Sequence, residues 1–305
     1  METKVAVPAE HLVERVRERY GRIAEGAETS CCGPKAATAC CGGGGAVSAK
    51  LGYRAKDLAA VPEGANLGLG CGAPLDFLEL QPGEAVLDLG SGPGLDAFLA
   101  ADRVGPSGRV IGVDMTPAML ERARRNAARG GYANVEFREG RLESLPLGDA
   151  VVDAVTSNCV INLVPDKAAV FRQVARVLKP GGRLVVSDIV LDGRLPEALE
   201  QDLYAYVGCV SGAVDRRDYV EMLEAAGLGP VEVLKDVDYL AATFDSVPEE
   251  VQAILDRTGI RPEDVAGKVR SITYRAYRRS SRTPDPARGA AAPGSAGPAS
   301  PPAMR

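Results

Sequence analysis

Apolar residues recur at two different periods along this chain, and the change of period divides it. Leu12, Val16, Tyr20 and Ile23 fall at helical spacing, which predicts an amphipathic helix over 9–24. From 71 to 190 the pattern changes. Short runs rich in Val, Ile and Leu occur at Ala85–Leu89, Val110–Val113, Val135–Arg138, Val151–Thr156 and Leu184–Asp188. Helical stretches near 95–104, 117–129 and 166–178 separate them. Strands apolar along their whole length, alternating with such helices, predict βαβ units around a buried parallel sheet. Lys179-Pro180-Gly181-Gly182 predicts a helix stop and a turn into the last of these strands. Beyond 191 the pattern is mixed, with helices predicted near 196–207, 217–226 and 248–256 and strands near 230–236 and 271–277.

Four regions follow. Residues 1–70 hold the first helix and then an irregular, Cys- and Gly-rich stretch that includes CCGPKAATACCGGGG; the run Gly42–Gly45 reads as a loop. Residues 71–190 form the α/β unit. Residues 191–279 form a C-terminal α+β region, either a second small domain or a cap that helps bind substrate. Residues 280–305, rich in Pro, Ala, Gly and Ser, cannot offset the entropy of ordering and are expected to be a disordered tail.

Composition narrows the chemistry. The chain has 305 residues, 46% hydrophobic and 25% charged, enough to bury a core without staples. Lys+Arg number 36 and Asp+Glu 41, a net charge of −5, which argues against nucleic acid as a partner. No run of apolar residues is long enough for a membrane span, and the first residues have no signal-peptide core, so a cytoplasmic protein with reduced thiols is expected. The single histidine, His11, leaves little room for a His-based catalytic dyad or zinc site. Seven cysteines, an odd number, imply no disulfide framework. Nothing demands more than a monomer.

The strongest local motif is VLDLGSGPG, residues 86–94. A strand carrying Asp88 runs into Gly90, Ser91, Gly92 and Gly94, which open a helix. The glycines let backbone approach a ligand, and the helix N-terminus presents unpaired N–H groups. One strand later VIGVD ends in Asp114, placed to take the hydroxyls of a ribose. The spacing D-x-G-x-G-x-G differs from the dinucleotide pattern. A carboxylate there would repel a pyrophosphate and suits a ligand bearing an ammonium and a sulfonium, such as S-adenosylmethionine. With VIGVDMTPAML and LKPGGRLVVSD, this loop resembles class I S-adenosylmethionine-dependent methyltransferases, from Gly83 to Asp188. The resemblance implies a Rossmann-like open α/β sheet over 71–190. It implies that Asp88, Gly90, Ser91, Gly92 and Gly94 surround the methionine part of the cofactor and that Asp114 binds its ribose. Met115 would lie by the adenine, with Leu142 and Glu143 in the next loop. Asn158 is a further candidate contact. Tyr20 could close over the cofactor or simply pack its helix.

The cysteines carry the rest. Cys71 lies in NLGLGCGAP, Cys159 in SNCVINL directly after the fourth predicted strand, and Cys209 in YVGCVSGA. Taken singly, Cys159 and Cys209 read more readily as small buried hydrophobes than as ligands. Zinc knuckle spacing is missing. The vicinal pairs Cys31-Cys32 and Cys40-Cys41 read either as a solvated loop or as ligands for a soft ion.

Together, EGANLGLGCGAP, SNCVINLVPDK and YVGCVSGA resemble the arsenite S-adenosylmethionine methyltransferase family, over about Tyr53 to Arg278. The resemblance implies that Cys71, Cys159 and Cys209 bind trivalent arsenic as substrate, with Cys31 or Cys32 taking part. The Cys40-Cys41 stretch departs from the family pattern. Arsenite and methylated arsenicals would be the acceptors. A thiol reductant, thioredoxin or glutathione, would serve as co-substrate. Two alternatives stand beside this: a class I methyltransferase of another small molecule with structural cysteines, and a non-catalytic metalloid-binding protein.

Overall fold

The structure is a computed structural model, and it describes residues 8–27, 45–200, 202, 210, 212–239, 241 and 249–279. The expected tail at 280–305, the Gly42–Gly45 run up to Gly44, and Cys31, Cys32, Cys40, Cys41 and Cys209 lie outside the described residues.

The alternation seen in the sequence becomes β1 (Ala85–Leu89), α4 (Leu95–Val104), β2 (Arg109–Asp114), α5 (Pro117–Gly130), β3 (Val135–Glu139), β4 (Val152–Asn158), α6 (Lys167–Val177) and β5 (Leu178–Leu191). Before it come α1 (Ala9–Glu25), α2 (Gly45–Leu51) and α3 (Ala55–Ala60). After it come α7 (Glu197–Glu200), α8 (Arg216–Ala225), β6 (Glu232–Asp238), α9 (Glu249–Thr258), α10 (Pro262–Val265) and β7 (Val269–Tyr277).

The seven strands among the described residues belong to one sheet, in the order β3-β2-β1-β4-β5-β7-β6. The first five pair in parallel, and β7 and β6 close one edge antiparallel. The C-terminal strands therefore extend the central sheet, with β5 paired to β7 along its length from Arg183 to Leu191. Alternate residues of each strand feed opposite faces. Leu87 and Ile111 pack with Phe171 and Val174 of α6 and with Tyr219 and Leu223 of α8. Val86 and Val110 pack with Phe98 of α4 and Leu120 of α5. This double-sided burial is why the strands are continuously apolar.

Two expectations need correction. Residues 25–70 are not irregular throughout, because α2 and α3 occupy part of them. Leu51, Tyr53, Val61 and Ala65 are buried, the last three against the α4 face, so this segment has a core to fold on that its glycines conceal. The Lys-Pro-Gly-Gly stretch lies within β5 instead of ahead of it, as an irregularity in which pairing to β4 skips from Leu178 to Arg183.

Strand order reverses between β1 and β4. The crevice beyond the carboxyl ends of those neighbours is where open α/β sheets bind ligands.

Candidate functional site

A cavity opens at that crevice. Its floor is the turn after β1. Gly90 N–H and Ser91 N–H both donate to the Val113 carbonyl, at 2.8 and 3.1 Å, which folds the turn against β2. Gly90 has φ +65°, and a side chain there would strike Val160, so the turn needs glycine for conformation and for space.

Asp88 lies at the floor with its Oδ2 buried and without a hydrogen-bond partner among the described residues; Ser91 Oγ is the same. Burial, then the charges of Asp96 and Asp114, push the Asp88 carboxyl well up from its ordinary range. Asp114, at the end of β2 beside that floor, accepts Gly92 N–H on Oδ2 at 2.9 Å and Thr116 N–H on Oδ1 at 2.8 Å. Burial raises its pKa too, against those hydrogen bonds. Met115, Leu142 and Glu143 line the same cavity, and Tyr20 of α1 reaches it from above. Gly94 does not line it. It caps α4, and a side chain there would collide with Phe98 and Phe137. A buried carboxyl that accepts the Ala97 N–H but leaves Oδ2 without a partner among the described residues, near a second carboxylate, fits a ligand with a cationic end and vicinal hydroxyls.

The opposite wall is built by Asn158 and Cys159 at the end of β4. Asn158 Oδ1 accepts Cys71 N–H at 3.0 Å and Gly72 N–H at 3.3 Å. Its Nδ2 donates to the Gly72 carbonyl and to Tyr53 Oη, both at 2.8 Å, and to Asp96 Oδ2 at 3.2 Å. Tyr53 Oη donates to Asp96 Oδ1 at 2.7 Å. One amide thus ties the Cys71 loop to the floor of the cavity. Gly70 and Gly72 make this possible, because a side chain on either would strike Asn158 or Ser187. Ser271 Oγ of β7 donates to the Cys71 carbonyl at 2.5 Å from the other side.

Cys159 follows Asn158 with φ +59°, an uncommon backbone for a non-glycine residue. Its N–H donates to the Ser187 carbonyl at 2.8 Å. The turn lets Cys159 approach Cys71: one ligand atom each from Cys71, Cys159 and Asp188 lie within 4.8 Å of one another, all buried. Leu12 and Val16 of α1 belong to the same apolar cluster as the two thiols. Asp188 Oδ2 accepts from Tyr219 Oη at 3.2 Å, and Oδ1 from Ile189 N–H at 3.0 Å. Burial pushes the Asp188 carboxyl up to about 7, against the Ile189 N–H, the Lys167 charge and Tyr219.

Of the residues expected from sequence, the structure gathers Asp88, Gly90, Ser91, Gly92, Asp114, Met115, Leu142, Glu143, Asn158 and Cys159 around one cavity, with Cys71 behind Cys159. Cys209, Cys31 and Cys32 fall outside the described residues. Tyr53, Asp96 and Asp188 were not singled out. Asp96 is one turn past the glycine loop, and Asp188 ends the VVSD run; both were legible as acidic residues at a ligand-binding rim, whereas Tyr53 had no local signal.

A family model described as a methyltransferase domain matches residues 80–227. An arsenite methyltransferase of Halobacterium salinarum is 48% identical over 227 residues, 72% of this chain and 58% of that protein. One from Aquipseudomonas alcaligenes is 44% identical over 55% of this chain and 50% of its own length. The chain thus spans about half the length of the curated relatives it matches. The crystal structure of an arsenic(III) S-adenosylmethionine methyltransferase from Chlamydomonas reinhardtii superposes with a TM-score of 0.56 at 33% identity, covering 77% of this chain and 74% of that one.

Proposed function

The chain belongs to the arsenite S-adenosylmethionine methyltransferase family, and from that premise we propose that it methylates trivalent arsenic held by cysteine thiolates. The observation that carries this is the meeting of two buried thiols, Cys71 within 4.8 Å of Cys159, with Cys159 in the wall of the cavity that Asp88 and Asp114 floor. Isolated buried cysteines are inert, but two brought together from distant segments at a ligand-binding rim form a soft, bidentate site.

Asp88 and Ser91 would hold the cationic methionine end of S-adenosylmethionine, and Asp114 its ribose. When bound there, S-adenosylmethionine supplies an electrophilic methyl group that the arsenic lone pair can take up. Cys71 and Cys159 supply two thiolates, and Cys209 is the expected third. The nucleophile carries no proton, so no general base is needed, consistent with a chain whose sole histidine is His11. The residues of the site act by alignment: Asn158 fixes the Cys71 loop relative to the cofactor floor, and α1 covers the thiols from water. Methyl transfer oxidises the arsenic, so a thiol reductant such as thioredoxin or glutathione completes the cycle. A cytoplasmic monomer accords with these features, and no described helix is long and apolar enough to cross a membrane.

The test is to incubate the protein with arsenite, S-adenosylmethionine and glutathione, and to separate the arsenic species by chromatography with mass detection. Methylated arsenic is the expected product. Cofactor consumption with another acceptor and none with arsenite would replace this reading with a methyltransferase whose cysteines are structural.

A further inference from the structure

The methionine end of S-adenosylmethionine is a zwitterion, and Asp88 answers only its cationic half. Among the described residues that line the cavity there are four carboxyls, Asp88, Asp96, Asp114 and Glu143, against one cation, Arg141. Arg141 is already committed: it donates to Glu143 at 2.9 Å and to Glu10 of α1 at 3.1 Å. A cofactor carboxylate entering beside Asp88 and Asp96 therefore needs neutral donors, because leaving it buried and unpaired is costly. Asn66, in the stretch GANLGLGCG, supplies one. Its Oδ1 accepts the Gly68 N–H and the Ser48 hydroxyl, both at 2.9 Å. A backbone N–H only donates, so the amide oxygen is the atom turned to Gly68, and the orientation of the side chain is fixed. That leaves Nδ2, on a side chain lining the cavity, with nothing to donate to among the described residues. The other amide lining the cavity, Asn158, has its Nδ2 spent on Gly72, Tyr53 and Asp96. Asn66 belongs to the Asp96 side of the cavity. The buried Ser48 that holds its oxygen accepts the Tyr53 N–H on its own carbonyl at 3.0 Å, and Tyr53 Oη donates to Asp96 Oδ1 at 2.7 Å.

We propose that Asn66 Nδ2 recognises the α-carboxylate of bound S-adenosylmethionine, and that this contact makes the site select the amino-acid form of the cofactor over a form lacking the carboxylate. The inference rests on the cofactor reading of the preceding section and is independent of where arsenic binds. A neutral amide suits the place. A lysine or arginine beside Asp96 would pair with it and cancel negative charge that faces the ammonium and sulfonium. An amide donates to the carboxylate and leaves the acidic floor as it is. Holding the carboxylate and the ammonium at separate points also fixes the direction in which the methionine chain leaves the sulfonium, and with it the direction of the methyl group.

The experiment titrates the full chain calorimetrically with two probes: S-adenosylmethionine, and decarboxylated S-adenosylmethionine, which keeps the nucleoside, the sulfonium and the amine. Asn66→Asp retains an oxygen for Gly68 and Ser48 but puts a negative charge where the donor was. It should weaken S-adenosylmethionine by about tenfold or more, at least the effect of losing a hydrogen bond to a charged group, and leave the decarboxylated probe within about twofold. Retained binding of the decarboxylated probe also reports an intact cavity. Asn66→Ala, which removes the donor without adding charge, should shift the ratio of the two affinities in the same direction by a smaller factor. Unchanged S-adenosylmethionine affinity in both variants, or equal losses for both probes, would overturn the inference and leave the cofactor reading standing. A wild-type chain that binds neither probe would overturn the cofactor reading and the inference with it.

Discussion

The two walls of the cavity are built in opposite ways. The cofactor-side floor comes almost entirely from one short stretch, Asp88 to Asp96, folded onto the end of β2 by two backbone hydrogen bonds. The thiol wall is Asn158 and Cys159 after β4, which line the cavity, and it is held by Cys71 before β1 and by Asp188 and Ser271 on β5 and β7, which do not. A turn motif specifies the first by itself. The second exists only when the sheet has formed in its observed order, and Asn158 is the joint between them. The floor can therefore fail alone, and the thiol wall can fail alone, but damage to the joint should reach both.

The largest expected effect is on the floor. Asp88→Asn removes the charge facing a cationic cofactor and should weaken S-adenosylmethionine binding by about 100-fold, in the range for truncating one partner of a buried charge pair, while phenylarsine oxide binding stays. Equilibrium titration of each ligand checks this. The same carboxyl gives a pH dependence with a definite sign. Burial and its acidic neighbours raise its pKa without cofactor, so its proton must leave for the cation to bind. Affinity should fall as pH drops, beginning above the ordinary aspartate range, and Asp88→Asn should flatten that profile.

Asn158→Ala should cost both walls. It leaves the Cys71 and Gly72 N–H groups without their acceptor, a loss of about 1–3 kcal/mol in stability, and it should lower methyl transfer more than it lowers cofactor affinity. Denaturant midpoints and a split of kcat against KM measure the two parts. A loss confined to one wall would contradict the joint.

Gly90→Ala should destabilise by about 1–3 kcal/mol, because φ is +65° and Val160 occupies the space.

A remote control sharpens the comparison. Arg183 pairs with Glu84 at 2.7 Å and bonds the carbonyls of Leu78 and Glu79, away from the cavity. Arg183→Gln should cost about 1–3 kcal/mol of stability and leave cofactor affinity within about twofold. Burial alone would raise the Glu84 pKa, but Arg183 and the Gln81 N–H bring it below its ordinary value. A depressed carboxyl stabilises the fold above its unfolded pKa, and that contribution is lost as pH falls through the folded one. The stability gap between wild type and Arg183→Gln should therefore narrow in acid.

The contrast between walls also explains what could be read from sequence. The βαβ order, β1 and α4 to the residue, and the glycine loop were legible because each is written in local periodicity and turn chemistry. Cys71 and Cys159 were legible as candidates, but their meeting depends on β1 lying beside β4 and on Asn158 gripping the Cys71 loop, pairings that no local pattern encodes. Tyr53 is hidden for the same reason: it reaches Asp96 only because the stretch from Tyr53 to Ala65 folds against the α4 face, where no local pattern signals it. The union of β6 and β7 with the central sheet is equally long-range, since an antiparallel edge and a separate small sheet have the same alternation.

The most direct test of the central claim is transfer of labelled methyl from S-adenosylmethionine to arsenite, with glutathione present, by wild type and Cys159→Ser. The account predicts methylated arsenic from the wild type and none above background from Cys159→Ser, with cofactor affinity equal in the two. Equal methylation of arsenite by both proteins would contradict it.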